Sequence, residues 1–233
     1  MWEENSTDVS ASEYSGYSED FWIEWFLGTK GNEYFCDVDV EFITDRFNLT
    51  GLNTEVESLQ QSIEVITDTF DIEVDEEERV RIEKYAHHLY GLIHARYILT
   101  TRGLQKMLDK YKNCDFGRCP RAHCHLHPLL PIGLHDIPRI STVKLYCPKC
   151  EDIYVPKSSR HAAIDGAYFG TSFPGMLLQV YPHLVPSKPT ERFVPKIFGF
   201  KIHDHAKLAR WQEKRRKEME ERLANESQTK EGS

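Results

Sequence analysis

The chain has 233 residues, 40% of them hydrophobic, which is enough to build one large domain or two smaller ones. Its formal net charge is −8, and no apolar run approaches the ~20 residues that a membrane span needs. The first 20 residues are polar and acidic rather than signal-like, so we expect a reducing intracellular location, where thiols bind metals more often than they form disulfides.

The net charge conceals a strong asymmetry along the chain. Residues 1–80 contain 22 acidic and 3 basic side chains, whereas residues 81–233 contain 15 acidic and 26 basic ones. Such a distribution favours basic partners at one end and anionic partners at the other. The alternative is that each set of charges only solvates its own surface.

The N-terminal half predicts a helical domain over 21–112, preceded by a disordered acidic segment over 1–20. The first helix is rich in aromatic residues and is expected to end at Gly28, with Ser18 or Asp20 as its N-cap. Apolar residues at helical spacing predict three further helices. Their stripes are Val56, Leu59, Ile63 and Ile66; Ile82, Ala86, Leu89, Ile93 and Tyr97; and, after Thr101 as N-cap, Leu104, Met107, Leu108 and Tyr111.

An acidic segment lies between the second and third of these helices. It is expected to form an exposed loop, because it is dense in charge. Its acidic residues are Asp71, Glu73, Asp75, Glu76, Glu77 and Glu78.

The composition changes near residue 112, where proline and glycine become frequent, and predicts a second domain over 113–181. Short β-like runs at 143–146 and 153–155 predict a small antiparallel sheet.

The same region carries two cysteine pairs separated by 22 residues: Cys119 with Cys124, and Cys147 with Cys150. Two tight turns with two thiolates each suit the tetrahedron of a four-cysteine zinc ribbon. Because four thiolates leave no open coordination position, we expect a structural metal.

Other ligand sets remain open at this point. The four cysteines can instead form two disulfides. Cys114 has the same spacing from Cys119 as Cys124 does, so it can replace Cys124. Three nearby histidines can also substitute as ligands: His123, His125 and His127. Cys36 stands alone and is expected to be a buried small hydrophobic residue.

No catalytic constellation emerges from the sequence. Residues 115–117 match the magnesium-binding tripeptide of protein kinases, but the glycine-rich loop, strand lysine and His-Arg-Asp loop are missing. We also find no nucleophile elbow, phosphate loop or His-Glu-x-x-His motif. The sequence therefore predicts a noncatalytic chain.

A compact basic group follows the second cysteine pair and is able to hold a phosphate or polyanion: Lys157, Arg160 and His161. A zinc-ribbon adaptor in a nuclear or transcription complex is therefore the alternative function. Because the chain is acidic and lacks a continuous basic stripe, direct binding to nucleic acid is disfavoured.

The C-terminal part divides into two segments. Residues 182–203 are rich in proline and predict an extended connector, in which a strand would place Phe198, Phe200 and Ile202 on one face. This face either docks on a partner or covers the protein's own core. Residues 204–233 predict a charged helical tail, whose basic run at 214–217 reads as a solvated face rather than a nuclear localisation patch.

Long ordered blocks of this chain resemble the regulatory beta subunits of casein kinase II, over about residues 22–203. The strongest are Lys-Leu-Tyr-Cys-Pro-Lys-Cys at 144–150 and Pro-Lys-Ser-Ser-Arg-His at 156–161. Further blocks lie at 31–36, 47–52, 89–100, 115–121, 130–134 and 165–170. The chain departs from the family pattern in a shorter acidic loop and in the helix after His203.

The resemblance implies a helical domain, then a zinc ribbon with one structural Zn²⁺ per chain, and then a docking segment. It assigns the metal to Cys119, Cys124, Cys147 and Cys150. The ribbon would form a homodimer that joins two catalytic subunits of casein kinase II into a heterotetramer, with Phe198 and Phe200 docking on the catalytic subunit. The acidic loop would respond to polyamines and basic protein substrates.

The resemblance also implies autophosphorylation near the N-terminus, for which Ser10 is the nearest fit because Glu13 follows it by three residues. We expect the protein in the nucleus and cytoplasm, without a membrane partner.

Overall fold

The computed structural model describes residues 21–71, 73–187, 196–201, 207, 210–218 and 221. The chain divides into a first compact unit that ends at Pro189 and a second that begins at Thr190. Within the described residues, no helix combines the length and the apolar character that a membrane crossing requires.

The first unit is mostly helical. The predicted stripe of the longest helix is buried, which confirms that helix and its core face. The α-helices are α1 (Trp22–Gly28), α2 (Val40–Thr44), α3 (Leu59–Ile66), α4 (Glu76–Tyr97), α5 (Thr101–Asn113), α6 (Ser159–Ala162) and α7 (Phe173–Val180). Short 3₁₀ turns lie at Leu52–Thr54, Ala122–Cys124, Gly166–Tyr168 and Pro182–Leu184.

The N-terminus of α1 is capped by a residue that is distant in sequence. The helix begins after Phe21, so the prediction of Ser18 or Asp20 as N-cap is wrong; both lie outside the described residues. The Trp22 backbone N–H instead donates to the Asp68 carboxylate, at 3.0 and 3.1 Å from its two oxygens. A carboxylate there satisfies an orphan amide and interacts favourably with the helix dipole.

Helix α4 begins inside the segment that was predicted to be an acidic loop. Asp75 is the N-cap, and its Oδ1 accepts a hydrogen bond from the Glu78 backbone N–H at 2.7 Å. Glu76–Glu78 therefore form the first turn of a helix, where the helix dipole stabilises negative charge. Among the predicted loop residues only Asp71, Glu73 and Asp75 precede the helix.

The break between α4 and α5 is also set by a cap. Thr100, rather than the predicted Thr101, is the N-cap of α5, and its Oγ1 accepts from the Gly103 N–H at 3.1 Å. A Cβ at position 103 would lie 2.0 Å from the Tyr97 carbonyl oxygen, so only glycine fits this close turn.

A three-stranded antiparallel sheet follows in the order β1 (Leu130–Ile132), β2 (Lys144–Tyr146), β3 (Ile153–Tyr154). Strands β2 and β3 confirm the two predicted runs, with Leu145 opposite Tyr154. Strand β1 was not predicted, because Pro131 interrupts its pattern. Pro131 is accommodated because β1 is an edge strand, where a missing N–H costs no ladder bond.

The helices and the cysteine region share one core, and His94 of α4 lies within it, fully buried. Its Nε2 accepts from the Cys36 N–H at 3.1 Å, while its Nδ1–H donates to the Tyr168 carbonyl oxygen at 2.8 Å. Burial lowers the pKa of His94 to about 4, so the ring is neutral at physiological pH. One helix thereby holds two segments that lie more than a hundred residues apart in sequence.

The second unit contains a hairpin, β4 (Lys196–Ile197) and β5 (Phe200–Lys201), with Ile197 opposite Phe200. The turn residues Phe198 and Gly199 have φ values of 48° and 85°, as a two-residue primed turn requires. The predicted single strand with Phe198 and Phe200 on one face is therefore wrong: the chain reverses at Phe198. Ile202 lies outside the described residues.

Residues 210–218 are helical, as predicted for the charged tail. Its charges pair along the helix, with Arg216 2.9 Å from Glu213 and Arg215 3.1 Å from Glu218. The Arg215 guanidinium also lies 5.9 Å from the centre of the Trp211 ring. These contacts fit the solvated charged face that the sequence favoured over a localisation patch.

Candidate metal centre

Four cysteines converge from two loops of the first unit. Cys119 and Cys124 follow α5, Cys147 follows β2, and Cys150 precedes β3. The four Sγ atoms all lie within 4.8 Å of one another. All are free thiols, and the Sγ atoms of Cys119 and Cys150 are 3.9 Å apart, well beyond the ~2.05 Å of a disulfide bond.

The donor set fits a tetrahedral metal ion. Zn–S bonds of ~2.3 Å place sulfurs about 3.8 Å apart in a tetrahedron, close to the separation of Cys119 and Cys150. Cys119, Cys124 and Cys147 are buried, and Cys150 is partly exposed. The four cysteines could therefore hold a metal ion, with all four coordination positions filled by the chain.

Backbone geometry positions the thiols. The Cys119 N–H donates to the His127 carbonyl oxygen at 2.8 Å, and the Cys147 N–H donates to the Asp152 carbonyl oxygen at 3.0 Å. Each loop turns back through a residue with positive φ, His125 at 52° and Glu151 at 59°. Each turn follows the second cysteine of its pair and closes the loop, so that the end of the loop hydrogen-bonds to the first cysteine.

The thiols have unequal acidities. Burial raises the pKa of Cys124 to about 11 and also raises the pKa of Cys147. The pKa of Cys150 is lowered: burial opposes ionisation, but hydrogen bonds from the Tyr154 hydroxyl and the Asp152 backbone outweigh it. Buried thiolates require a compensating cation, so the cluster favours four thiolates only when a metal is bound.

An ion pair joins the two cysteine loops. The Arg121 guanidinium, between the first two cysteines, lies 2.6 Å from the Asp152 carboxylate, which follows Cys150. Their side chains are 19% and 47% exposed, so the contact lies at the edge of the centre rather than within it.

The other candidate ligands lie elsewhere. Among the described residues the candidate cluster contains only the four cysteines. Cys114 ends α5 in a left-handed conformation, with its Sγ 3.8 Å from the Lys112 carbonyl oxygen. The His127 Nε2 lies 3.1 Å from the Tyr111 hydroxyl. The structure thus separates these residues from the four converging thiols.

One member of the basic group after the second cysteine pair forms an ion pair within the protein. Lys157 and Arg160 are exposed, but the His161 Nε2 lies 2.6 Å from the Glu33 carboxylate. The His161 ring also stacks on Tyr34 at a centroid distance of 4.2 Å. His161 therefore links α6 to the loop between α1 and α2, which carries Glu33 and Tyr34.

Two exposed apolar surfaces stand out. Near the cysteines, Leu126 is 62% exposed, and Ile153 and Val155 are 48% and 63% exposed. In the second unit, Phe198 and Phe200 of the hairpin are 97% and 79% exposed. Exposed aromatic and aliphatic groups of this size are typical of protein contact surfaces. Ser10 lies outside the described residues.

Sequence reasoning missed two residues that contact the centre, Tyr154 and Asp152. Tyr154 places its hydroxyl 3.2 Å from the Cys150 Sγ, and Asp152 supplies the ion pair to Arg121. No spacing pattern indicates either contact, because both depend on how the second cysteine turn leads into β3.

Comparisons with known proteins identify the family. The family described as "Casein kinase II regulatory subunit" matches residues 21–201. Casein kinase II subunit beta-2 of Neurospora crassa is 61% identical over 214 residues, covering 92% of this chain and 74% of that protein. Casein kinase II subunit beta of Schizosaccharomyces pombe is 56% identical, covering 91% of this chain and 92% of its own length. The beta' subunit of Saccharomyces cerevisiae is 57% identical, with coverages of 93% and 84%. The chain therefore belongs to the casein kinase II regulatory subunit family, whose members are noncatalytic.

Proposed function

We propose that this chain is a zinc-dependent homodimeric scaffold that assembles and stabilises two catalytic subunits of casein kinase II and modulates their choice of substrate. The observation that carries the proposal is the convergence of four thiols beside an edge strand with exposed apolar side chains. Membership of the regulatory subunit family supplies the catalytic partner.

The metal is one structural Zn²⁺ per chain, held by Cys119, Cys124, Cys147 and Cys150. Four buried or half-buried cysteine sulfurs favour a thiophilic ion, and a filled tetrahedron leaves no position to activate water. Bound there, Zn²⁺ would crosslink the two cysteine loops. Structural zinc sites of this kind contribute binding energies of ~10–16 kcal/mol in small modules, which is comparable to the stability of a whole domain.

The dimer contact is formed by the ribbon around β3. This strand is an edge of the sheet, so one side of its backbone is free to meet another chain. Ile153 and Val155 alternate with Tyr154, which contacts Cys150, and therefore face away from the metal centre. Burial of these side chains and of Leu126 against a second copy supports dimerisation, at ~25 cal/mol per Å² of apolar surface.

The catalytic subunit is contacted by the hairpin of the second unit. Its tip presents Phe198 almost fully to solvent, and Phe200 and Ile197 form an apolar cross-strand pair beside it. Aromatic anchors of this kind carry much of the free energy in protein interfaces. The two-residue turn places Phe198 at the tip of the hairpin, where a partner can contact it.

The acidic segment before and within the first turn of α4 attracts polyamines and basic substrates. Three glutamates in the first turn and the acids before it create a local negative potential. Long-range attraction of this kind weakens with ionic strength. Ser10 is the proposed site of phosphorylation, and the nucleus and cytoplasm are the proposed locations.

Co-purification with a casein kinase II catalytic subunit tests the proposed function. The chain is co-expressed with that subunit, and the mass of the complex is measured in solution by light scattering. We expect a mass corresponding to two chains of each kind. A mass corresponding to this chain alone, with the catalytic subunit recovered separately, would overturn the proposal.

A further inference from the structure

Tyr154 lies at the junction between the metal centre and the edge strand. Its hydroxyl oxygen is 3.2 Å from the Cys150 Sγ, and its backbone pairs with Leu145 across the sheet. We propose that Tyr154 is a positioning residue of the metal centre: its O–H donates to the Cys150 thiolate and slows the loss of the metal. This inference rests on the proposed zinc site and deepens it.

Cys150 is the cysteine that most needs such support. The other three sulfurs belong to buried residues, whereas Cys150 is partly exposed to water. The backbone N–H groups of Cys119 and Cys147 are held by carbonyl oxygens of their own loops at 2.8 and 3.0 Å. An exposed thiolate is the one that water or a chelator reaches first, so metal release is expected to begin at Cys150.

The Tyr154 hydroxyl is suited to oppose that release. A phenol donates a stronger hydrogen bond to a charged sulfur than to a neutral acceptor. The donor is also rigidly placed, because Tyr154 is held in β3 by the register with β2. Groups that hydrogen-bond metal ligands typically alter metal affinity by ~10–100-fold when they are removed.

The Arg121–Asp152 ion pair closes the same side of the centre. Asp152 lies between Cys150 and Tyr154 in sequence and binds Arg121 at 2.6 Å. The short segment that carries Cys150 is therefore held by this ion pair, by the Asp152 carbonyl oxygen that accepts from the Cys147 N–H, and by the Tyr154 hydroxyl. The Tyr154 hydroxyl contacts the Cys150 sulfur directly.

The test compares the full-length chain with Tyr154→Phe, which removes only the hydroxyl, and with Tyr146→Phe as a matched control. Tyr146 is half-buried, lies beside Cys147 and belongs to the neighbouring strand. Zinc content is first measured by mass spectrometry of the metal, and release to a colorimetric chelator is then followed by stopped flow. We expect Tyr154→Phe to release zinc at least ~10-fold faster than the unaltered chain, and Tyr146→Phe to stay within about twofold.

A spectroscopic readout separates positioning from general stability. In the Co²⁺-loaded chain, loss of a hydrogen bond to a thiolate is expected to shift the sulfur-to-cobalt charge-transfer band to lower energy. We expect this shift in Tyr154→Phe and not in Tyr146→Phe. If Tyr154→Phe folds poorly, the charge-transfer band of its folded, Co²⁺-loaded fraction still shows whether the hydrogen bond to the Cys150 thiolate has been lost.

The outcomes are distinguishable. Unchanged release and an unchanged band in Tyr154→Phe, in a chain that holds one zinc, would overturn this inference alone. An unaltered chain that binds no zinc would overturn both this inference and the proposed metal centre.

Discussion

Arg121 and Asp152 form an ion pair at 2.6 Å that ties the first cysteine loop to the second at the edge of the thiol cluster. A partly exposed pair of this kind contributes only ~0–1 kcal/mol, so it cannot hold the two loops together by itself. The metal is therefore expected to supply most of the stability of this region.

Cys147→Ser tests that expectation. The variant loses a buried ligand, so we expect loss of the single zinc, unfolding of the ribbon, and dissociation of the dimer. Metal analysis and gel filtration provide the measurement. Cys114→Ser is the matched control, because Cys114 lies outside the cluster, and it should keep its zinc and its dimer. A Cys147→Ser chain that keeps both would contradict the proposed centre.

Phe198→Ala combined with Phe200→Ala tests the hairpin. Loss of two aromatic anchors is expected to cost ~2 kcal/mol or more each in binding to the catalytic subunit, a large fall in affinity by calorimetry. The zinc and the dimer should remain, because the hairpin lies in the second unit. Trp211→Ala removes another exposed aromatic residue and should leave the affinity unchanged. Equal affinities for the hairpin variant and the unaltered chain would refute the assignment.

The acidic segment is best tested outside the helix. Replacing Glu76–Glu78 also removes favourable interactions with the dipole of α4, which confuses stability with regulation. Asp71→Asn with Glu73→Gln avoids this, and we expect a higher spermine concentration for half-maximal stimulation of the assembled kinase. The control replaces Glu55 with glutamine and Asp109 with asparagine, two exposed acids that lie outside the first turn of any α-helix. A spermine response that survives in the Asp71 and Glu73 variant would show that these residues are not the sensor.

Acid should weaken the helical core through His94. Its pKa falls from 6.5 to about 4 on folding, so the unfolded chain binds the proton more readily between these values. The neutral His94 ring contributes at most about 3 kcal/mol to the free energy of unfolding. This contribution is complete above pH 6.5 and is lost as the pH falls towards 4. Urea unfolding of the unaltered chain should show this loss, whereas His94→Gln should give a flatter pH dependence. Because the two chains differ only at position 94, parallel pH profiles would argue against this role for His94.

Gly91→Ala should destabilise the contact between α4 and the ribbon. A Cβ at this position would lie 2.5 Å from the Tyr168 ring, and overpacking of this kind costs ~1–3 kcal/mol. Gly175→Ala in α7 meets no atom within 4 Å and should be neutral or stabilise by ~0.5–1 kcal/mol. Thermal unfolding of both variants gives the comparison, and equal midpoints would show that the Tyr168 ring moves freely.

Periodicity was enough to predict the long helix and its buried stripe, because each apolar residue reports on its own face. Cysteine spacing indicated a four-thiol site, but the choice of Cys124 over Cys114 came from the resemblance to the family. The cap of α1 was not predictable, since Asp68 reaches that helix across 46 residues of sequence, whereas the caps at Asp75 and Thr100 are local. The hairpin was missed because the alternation of Phe198 and Phe200 imitates a strand, while the positive φ of Phe198 depends on the turn. Tyr154 was missed because its contact with Cys150 exists only after the sheet has formed.

Zinc removal from the purified chain tests the central claim most directly. Sedimentation equilibrium is measured on the zinc-loaded chain, after chelation, and after zinc is restored. We predict twice the chain mass of 27.2 kDa with one zinc per chain, a shift to the single-chain mass on chelation, and recovery with added zinc. A metal-free dimer with the same mass and the same stability as the zinc-loaded one would contradict the account.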